Sequence, residues 1–161
     1  MHTLRHARAE DADRCHAIEV SAYASSAAAT REKILKRIML YPEGFLILEA
    51  EGQIAGFINS GCADQVVLSD EAFKELVGHD PDAPNVVIMS VVVDPAQQGR
   101  GLSRALMSAF VEQIRQRGKR EIHLICRDHH VPLYERFGYR YVRPSASDHG
   151  GMAWHEMCMT L

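Results

Sequence analysis

The chain has no Cys-x-x-Cys pair, no hydrophobic run near the length of a membrane span, and no excess of positive charge. Each absence removes a class. Its four cysteines, Cys15, Cys62, Cys126 and Cys158, stand far apart, which excludes a disulfide framework or a zinc cluster and predicts free thiols in a reducing compartment. Cys126 and His129 have C-x-x-H spacing without a matching second pair, so no metal is expected. Eighteen Lys and Arg are scattered among 21 Asp and Glu, giving a net charge of −3, and this is not the footprint of a nucleic-acid binder. With no apolar stretch approaching the ~20 residues that span a bilayer, and an amino terminus (MHTLRHARAED) too polar for a signal peptide, a cytoplasmic protein with no membrane partner is expected. Repeats, linkers and low-complexity segments are also missing.

What is present suits one folded unit. A length of 161 residues, 47% hydrophobic and 24% charged, predicts a single domain over 1–161 with one packed core. Residues 3–9 read as a first strand, followed by a helix to about Ser21 with Glu10, Asp11 and Asp13 at its positive end. Thr30 is a candidate N-cap for REKILKRIMLY, whose Ile34, Ile38 and Leu40 form a partial stripe. FLILEAEGQIAGFINSG holds two strands around Glu51-Gly52, a hairpin signature. Ser69, with Asp70 and Glu71, caps a short helix through Val77. NVVIMSVVV, apolar on both faces, predicts a central strand. Leu102, Ala105, Leu106, Ala109, Phe110 and Ile114 recur at helical spacing up to Gly118. EIHLIC is a further strand, VPLYERFG a short helix, and YRYV and WHEMCMTL the last two strands. Hairpins mixed with crossovers indicate an α/β or α+β domain.

The bend between the most buried strand and the best amphipathic helix, VVVDPAQQGRGLSRAL, is where a ligand is expected. A helix start leaves about four amides unpaired and carries roughly half a positive charge. Gly99 and Gly101 let a phosphate approach the main chain. A dinucleotide fingerprint would need glycine at Arg104, and a P-loop would need Gly-Lys-Ser/Thr; neither is present.

Gln98-Gly99-Arg100-Gly101-Leu102-Ser103 resembles the Q/R-x-x-G-x-G/A signature of the GCN5-related N-acetyltransferase (GNAT) family, with Ser103 in place of the last Gly or Ala. Pro132-Leu133-Tyr134-Glu135-Arg136-Phe137-Gly138-Tyr139 resembles that family's second motif. LEAEGQIAGFINSG, QQGRG, VPLYERFGY and HEMCMTL resemble its arylalkylamine (serotonin) N-acetyltransferase branch. The resemblance implies a mostly antiparallel sheet of about six or seven strands, flanked by helices and splayed at an acetyl-CoA site. It also implies acetyl transfer from acetyl-CoA to a small arylalkyl- or polyamine-like amine in a ternary complex. A protein or peptide N-acetyltransferase and a non-catalytic acyl-CoA-binding module are the alternatives, and a homodimer is compatible with the fold.

By the same resemblance, backbone groups of Met89, Val91 and Val93 line the pantetheine arm. Amides from Gln98 through Gly99, Arg100, Gly101 and Ser103 to Arg104 meet the phosphates. Tyr134 takes the place of the acid that protonates the thiolate, a task a phenol with pKa near 10 can perform. Alignment on QQGRG sets Asn85 and Val87 where the branch has two histidines, and neither accepts a proton at neutral pH. His129, His130, His149 and His155 are the candidate bases. Asp64 and Asp70 are candidates to attract a cationic amine, and substrate selection falls to residues 22–30 and 62–84.

Overall fold

In the computed structural model, which describes residues 1–23 and 27–161, seven strands form one sheet. In chain order they are β1 (His2–His6), β2 (Phe45–Ala50), β3 (Gln53–Ala63), β4 (Asn85–Val93), β5 (Glu121–Cys126), β6 (Arg140–Pro144) and β7 (His155–Thr160). Their spatial order is β1-β2-β3-β4-β5-β7-β6. Every neighbouring pair is antiparallel except β4 and β5. That parallel pair is joined through α3 (Leu102–Gln116), because parallel neighbours need a crossover.

Alternation along the strands divides the apolar residues between two faces. Phe45, Ile47, Phe57 and Val92 pack with Cys15 and Ile18 of α1 (Ala12–Ala22) and with Ile34 and Ile38 of α2 (Arg31–Leu40). Leu46, Leu48, Ile58, Val86 and Ile122 face Leu106, Phe110 and Ile114 of α3 on the other side. The short α4 (Val131–Arg136) joins that side through Tyr134 and Phe137. Thr30 caps α2 as expected, its side chain accepting from the Lys33 amide at 3.2 Å. Glu51 and Gly52 both have positive φ, 54° and 80°, the conformation a two-residue hairpin turn requires.

Several local expectations need correction. The first strand ends at His6, because Ala9–Asp11 already turns as a 3-10 helix into α1. Leu40 leaves the stripe of α2 and is exposed, since the chain turns at Tyr41 and Pro42 before the stripe can continue. Residues Glu71–Glu75 form a 3-10 turn rather than a longer helix. Its cap is Asp70 instead of Ser69, accepting from the Ala72 amide at 3.0 Å, and Leu76 in the left-handed region ends it.

Two irregularities create the space for a site. β4 and β5 pair only over Asn85–Val87 and Glu121–His123, after which the ladder stops. On its other side β4 shifts register against β3 between Asn59 and Ser60, which pair with Ser90 and Ile88 and leave Met89 as the extra residue. Such a bulge bends its strand and re-aims its side chains. Ile88 and Met89 consequently lie on the α3 side, while Val92 packs against α1 and α2.

Candidate active site

Where β4 and β5 part, a cleft of about 500 Å³ opens between the end of β4, the bend before α3, and α4. The bend is held from below: Asp94 accepts from the Ala96 amide at 3.0 Å and pairs with Arg14 of α1 at 2.7 Å. These bonds keep the Asp94 carboxyl below its usual range, the Ala96 amide contributing most. Gly99 and Gly101 follow with φ of 82° and 74°, and no atom lies within 4 Å of where a Cβ on either would stand. The bend is therefore open, and its backbone favours glycine. The first α3 turn closes with the Ala105 amide on the Gly101 carbonyl at 3.2 Å, so the amides of Leu102, Ser103 and Arg104 precede the first intrahelical bond. This is an anion-binding end of the kind phosphates use.

Of the expected cofactor residues, Val91, Val93, Gln98, Gly99, Gly101 and Ser103 line this cleft. Arg100 and Arg104 do not. The Arg100 guanidinium turns onto Gln97 at 2.5 Å and Glu51 at 3.3 Å, and the Arg104 side chain is exposed. Met89 lines instead a second, smaller chamber of about 70 Å³. Tyr23, Val91 and Tyr134 border both spaces, so the two meet at these three residues.

Tyr134 is placed by the turn after it. Gly138 has a φ of 101°, and the bonds from the Gly138 amide to Glu135 and from the Tyr139 amide to Tyr134, both 3.0 Å, close the end of α4. Tyr139 packs edge-on against the Tyr134 ring with centroids 5.7 Å apart. Burial holds the Tyr134 phenol well above its usual pKa, so it remains a proton donor throughout the neutral range.

The histidines separate. His129 and His130 lie along the cleft, where burial and the neighbouring His129 and Arg127 charges push His130 down. His149 reaches the chamber, but its two ring nitrogens face Glu71 Oε1 at 2.7 Å and the Ala27 carbonyl at 2.9 Å. Both partners are acceptors, and together they fix the orientation of the ring. His155 is bonded to Tyr141 at 2.8 Å, away from both spaces. Asn85 donates to the Asp64 carbonyl, and Val87 packs with Ala63 and Phe73 at the paired end of β4. Neither Asp64 nor Asp70 lines the chamber.

Glu19, on α1, is the carboxylate that does line it. It is 2% exposed. Oε2 accepts from the Ala29 amide at 2.5 Å, while Oε1 has no hydrogen-bond partner among the described residues. Burial raises its pKa, with the Ala29 amide, Arg37 and Ser90 pulling back. Its place in the sequence, among polar residues of a weakly amphipathic helix, gives no sign of burial; the one available signal was an acid on the buried side of α1, one position after Ile18.

Cys126 stays outside both spaces as a buried thiol pushed up to about 11, unsuited to nucleophilic work. Elsewhere, Glu121, His123 and Cys158 bring donor atoms within 4.8 Å of one another on β5 and β7, outside both spaces.

The sequence model of the acetyltransferase (GNAT) family matches residues 4–139. Among solved structures, the loading GNATL domain of CurA from Lyngbya majuscula superposes with a TM-score of 0.88 at 21% identity, over 99% of this chain and 98% of that one. The GphF GNAT-like decarboxylase in complex with isobutyryl-CoA gives 0.85 at 20%, over 98% of each. The ribosomal-protein-S18-alanine N-acetyltransferase from Escherichia coli gives 0.71 at 21%, over 99% and 94%. These likenesses describe the fold, and with the match over most of its length the chain belongs to the acetyltransferase (GNAT) family, acyltransferases whose cosubstrate is acetyl-CoA.

Proposed function

We propose that the protein transfers the acetyl group of acetyl-CoA directly to a small primary amine. The cleft takes the coenzyme, with pyrophosphate at the amides from Gln98 to Arg104 and pantetheine along Val91 and Val93. The chamber takes the amine, and the thioester lies at their junction. The observation that carries this reading is the meeting of a long cleft and a small chamber at Tyr23, Val91 and Tyr134.

Glu19 is the base in this reading and Tyr134 the acid. The amine nitrogen attacks the thioester carbonyl carbon, and its surplus proton goes to Glu19. The C–S bond then breaks, and the departing sulfur takes the Tyr134 hydroxyl proton. Burial suits both partners: it raises the carboxylate toward the operating pH and keeps the phenol protonated.

Size and charge narrow the acceptor. The chamber is the smaller of the two spaces, about 70 Å³ against about 500 Å³, which favours a short acceptor over an arylalkylamine. A polyamine would meet Lys33, Arg37 and Lys74 on the chamber wall, and a peptide would need a longer groove. The test is release of free CoA thiol from acetyl-CoA on addition of small amines. Turnover with two- to five-carbon amines supports the reading, and hydrolysis indifferent to any amine contradicts it.

A further inference from the structure

The chamber holds more positive charge than its own acids balance. Lys33, Arg37 and Lys74 line it against the single carboxylate of Glu19, with Glu71 near its rim, 3.6 Å from Lys74. Arg37 is 3% exposed, and its bonds go to neutral oxygens, the Lys74 carbonyl at 3.0 Å and Asn59 at 3.3 Å. Burial drives the Lys74 ammonium down, Glu71 opposes this, and Arg37 and Lys33 add to the fall. Cations crowded in a low-dielectric wall repel one another and cost stability unless an anion joins them.

We propose that the chamber binds a carboxylate, so that the acceptor is a short amino acid whose carboxylate faces Lys33 and Lys74 while its amine faces Glu19. This rests on the reading of the chamber as the acceptor site. The chamber is small, about 70 Å³, which suits the shortest members of that class, glycine and β-alanine. The same chemistry could arrive on the acyl chain, as in malonyl-CoA, whose carboxylate would extend past the junction onto the same lysines.

Matched acceptors separate these cases. β-Alanine and propylamine are compared with acetyl-CoA as donor, and malonyl-CoA consumption is followed without amine. β-Alanine should exceed propylamine by about tenfold or more in kcat/KM, the effect of one hydrogen bond to a charged group. Lys74→Gln should raise the KM for β-alanine by a larger factor than that for propylamine. Lys33→Gln, on the outer turn of α2, is the second variant, and thermal unfolding checks that both fold. Malonyl-CoA consumption that depends on these lysines, with β-alanine no better than propylamine, would place the carboxylate on the acyl chain and keep the site. Equal use of the matched acceptors, with lysine variants inert toward them and toward malonyl-CoA, overturns it. If no acceptor is turned over, acetyl transfer fails separately: calorimetry of β-alanine on the CoA-loaded protein then decides, supporting the site if binding weakens in both variants and overturning it if β-alanine and malonyl-CoA both fail to bind.

Discussion

The Tyr23 hydroxyl donates to the Val91 carbonyl at 3.2 Å, tying the residue that ends α1 to the open edge of β4. Val91 lies just past the bulge at Met89, where β5 no longer pairs, so a side chain from the opposite layer fills part of the gap between strands. Tyr23→Phe removes the donor. The expected cost is about 1 kcal/mol, or roughly 2–4 °C in Tm for a domain of this size, measured by thermal unfolding.

Tyr134→Phe keeps the packing against Tyr139 and removes the proton. The expected result is a fall in kcat of about a hundredfold or more, with acetyl-CoA affinity within twofold of wild type, the split expected for a group that acts in the transition state. Steady-state kinetics with calorimetry of CoA binding checks it. A fall in affinity with kcat preserved would return Tyr134 to a packing role.

In the proposed mechanism Glu19 sets a pH dependence with a definite sign. As the base it works ionised, so kcat/KM should fall as pH drops through its raised pKa, and Glu19→Gln should abolish that acid limb along with most activity. Stability runs the other way. The folded pKa lies above the unfolded value, so the contribution of Glu19 is complete below the unfolded pKa and is lost as pH rises through the folded one. The difference between wild-type and Glu19→Gln Tm across pH isolates it.

Gly101→Ala tests the bend. At a φ of 74° a side chain strains the backbone by about 1–2 kcal/mol, roughly 2–8 °C in Tm. Gly118→Ala, at the same φ of 74° just beyond the far end of α3, carries comparable strain away from the bend. Acetyl-CoA binding should weaken for Gly101→Ala and stay unchanged for Gly118→Ala.

The legible parts of this protein are those written locally. The Glu51-Gly52 turn, the Thr30 cap, the α3 stripe and the glycine at 138 each announce a conformation through residues within a few positions of one another, and the structure has them all. The bend at Gly99 and Gly101 was legible for the same reason, and Val91, Val93, Gln98 and Ser103 meet there. Glu19 was not. It is buried among groups distant in sequence, and the Ala29 amide, Arg37 and Ser90 all act on its carboxylate. The places of the histidines were not legible either, because a sequence does not show what a ring nitrogen meets: His149 meets Glu71 and Ala27, and His155 meets Tyr141, while His129 and His130 line the cleft. Residues 22–30 and 62–84, marked for substrate selection, supply Tyr23, Ala27, Ala29 and Lys74 to the chamber wall, while Ala24, Ser25 and Ser26 lie outside the described residues.

Thermal unfolding with and without acetyl-CoA, with ATP and NADH as controls, tests the cleft most directly. At about 100 times Kd the coenzyme should add ~2.7 kcal/mol, a rise of roughly 5–10 °C, while the controls leave Tm unchanged. An unchanged Tm at millimolar acetyl-CoA would mean that the gap between β4 and β5 holds no coenzyme, and the account of acetyl transfer would fall with it.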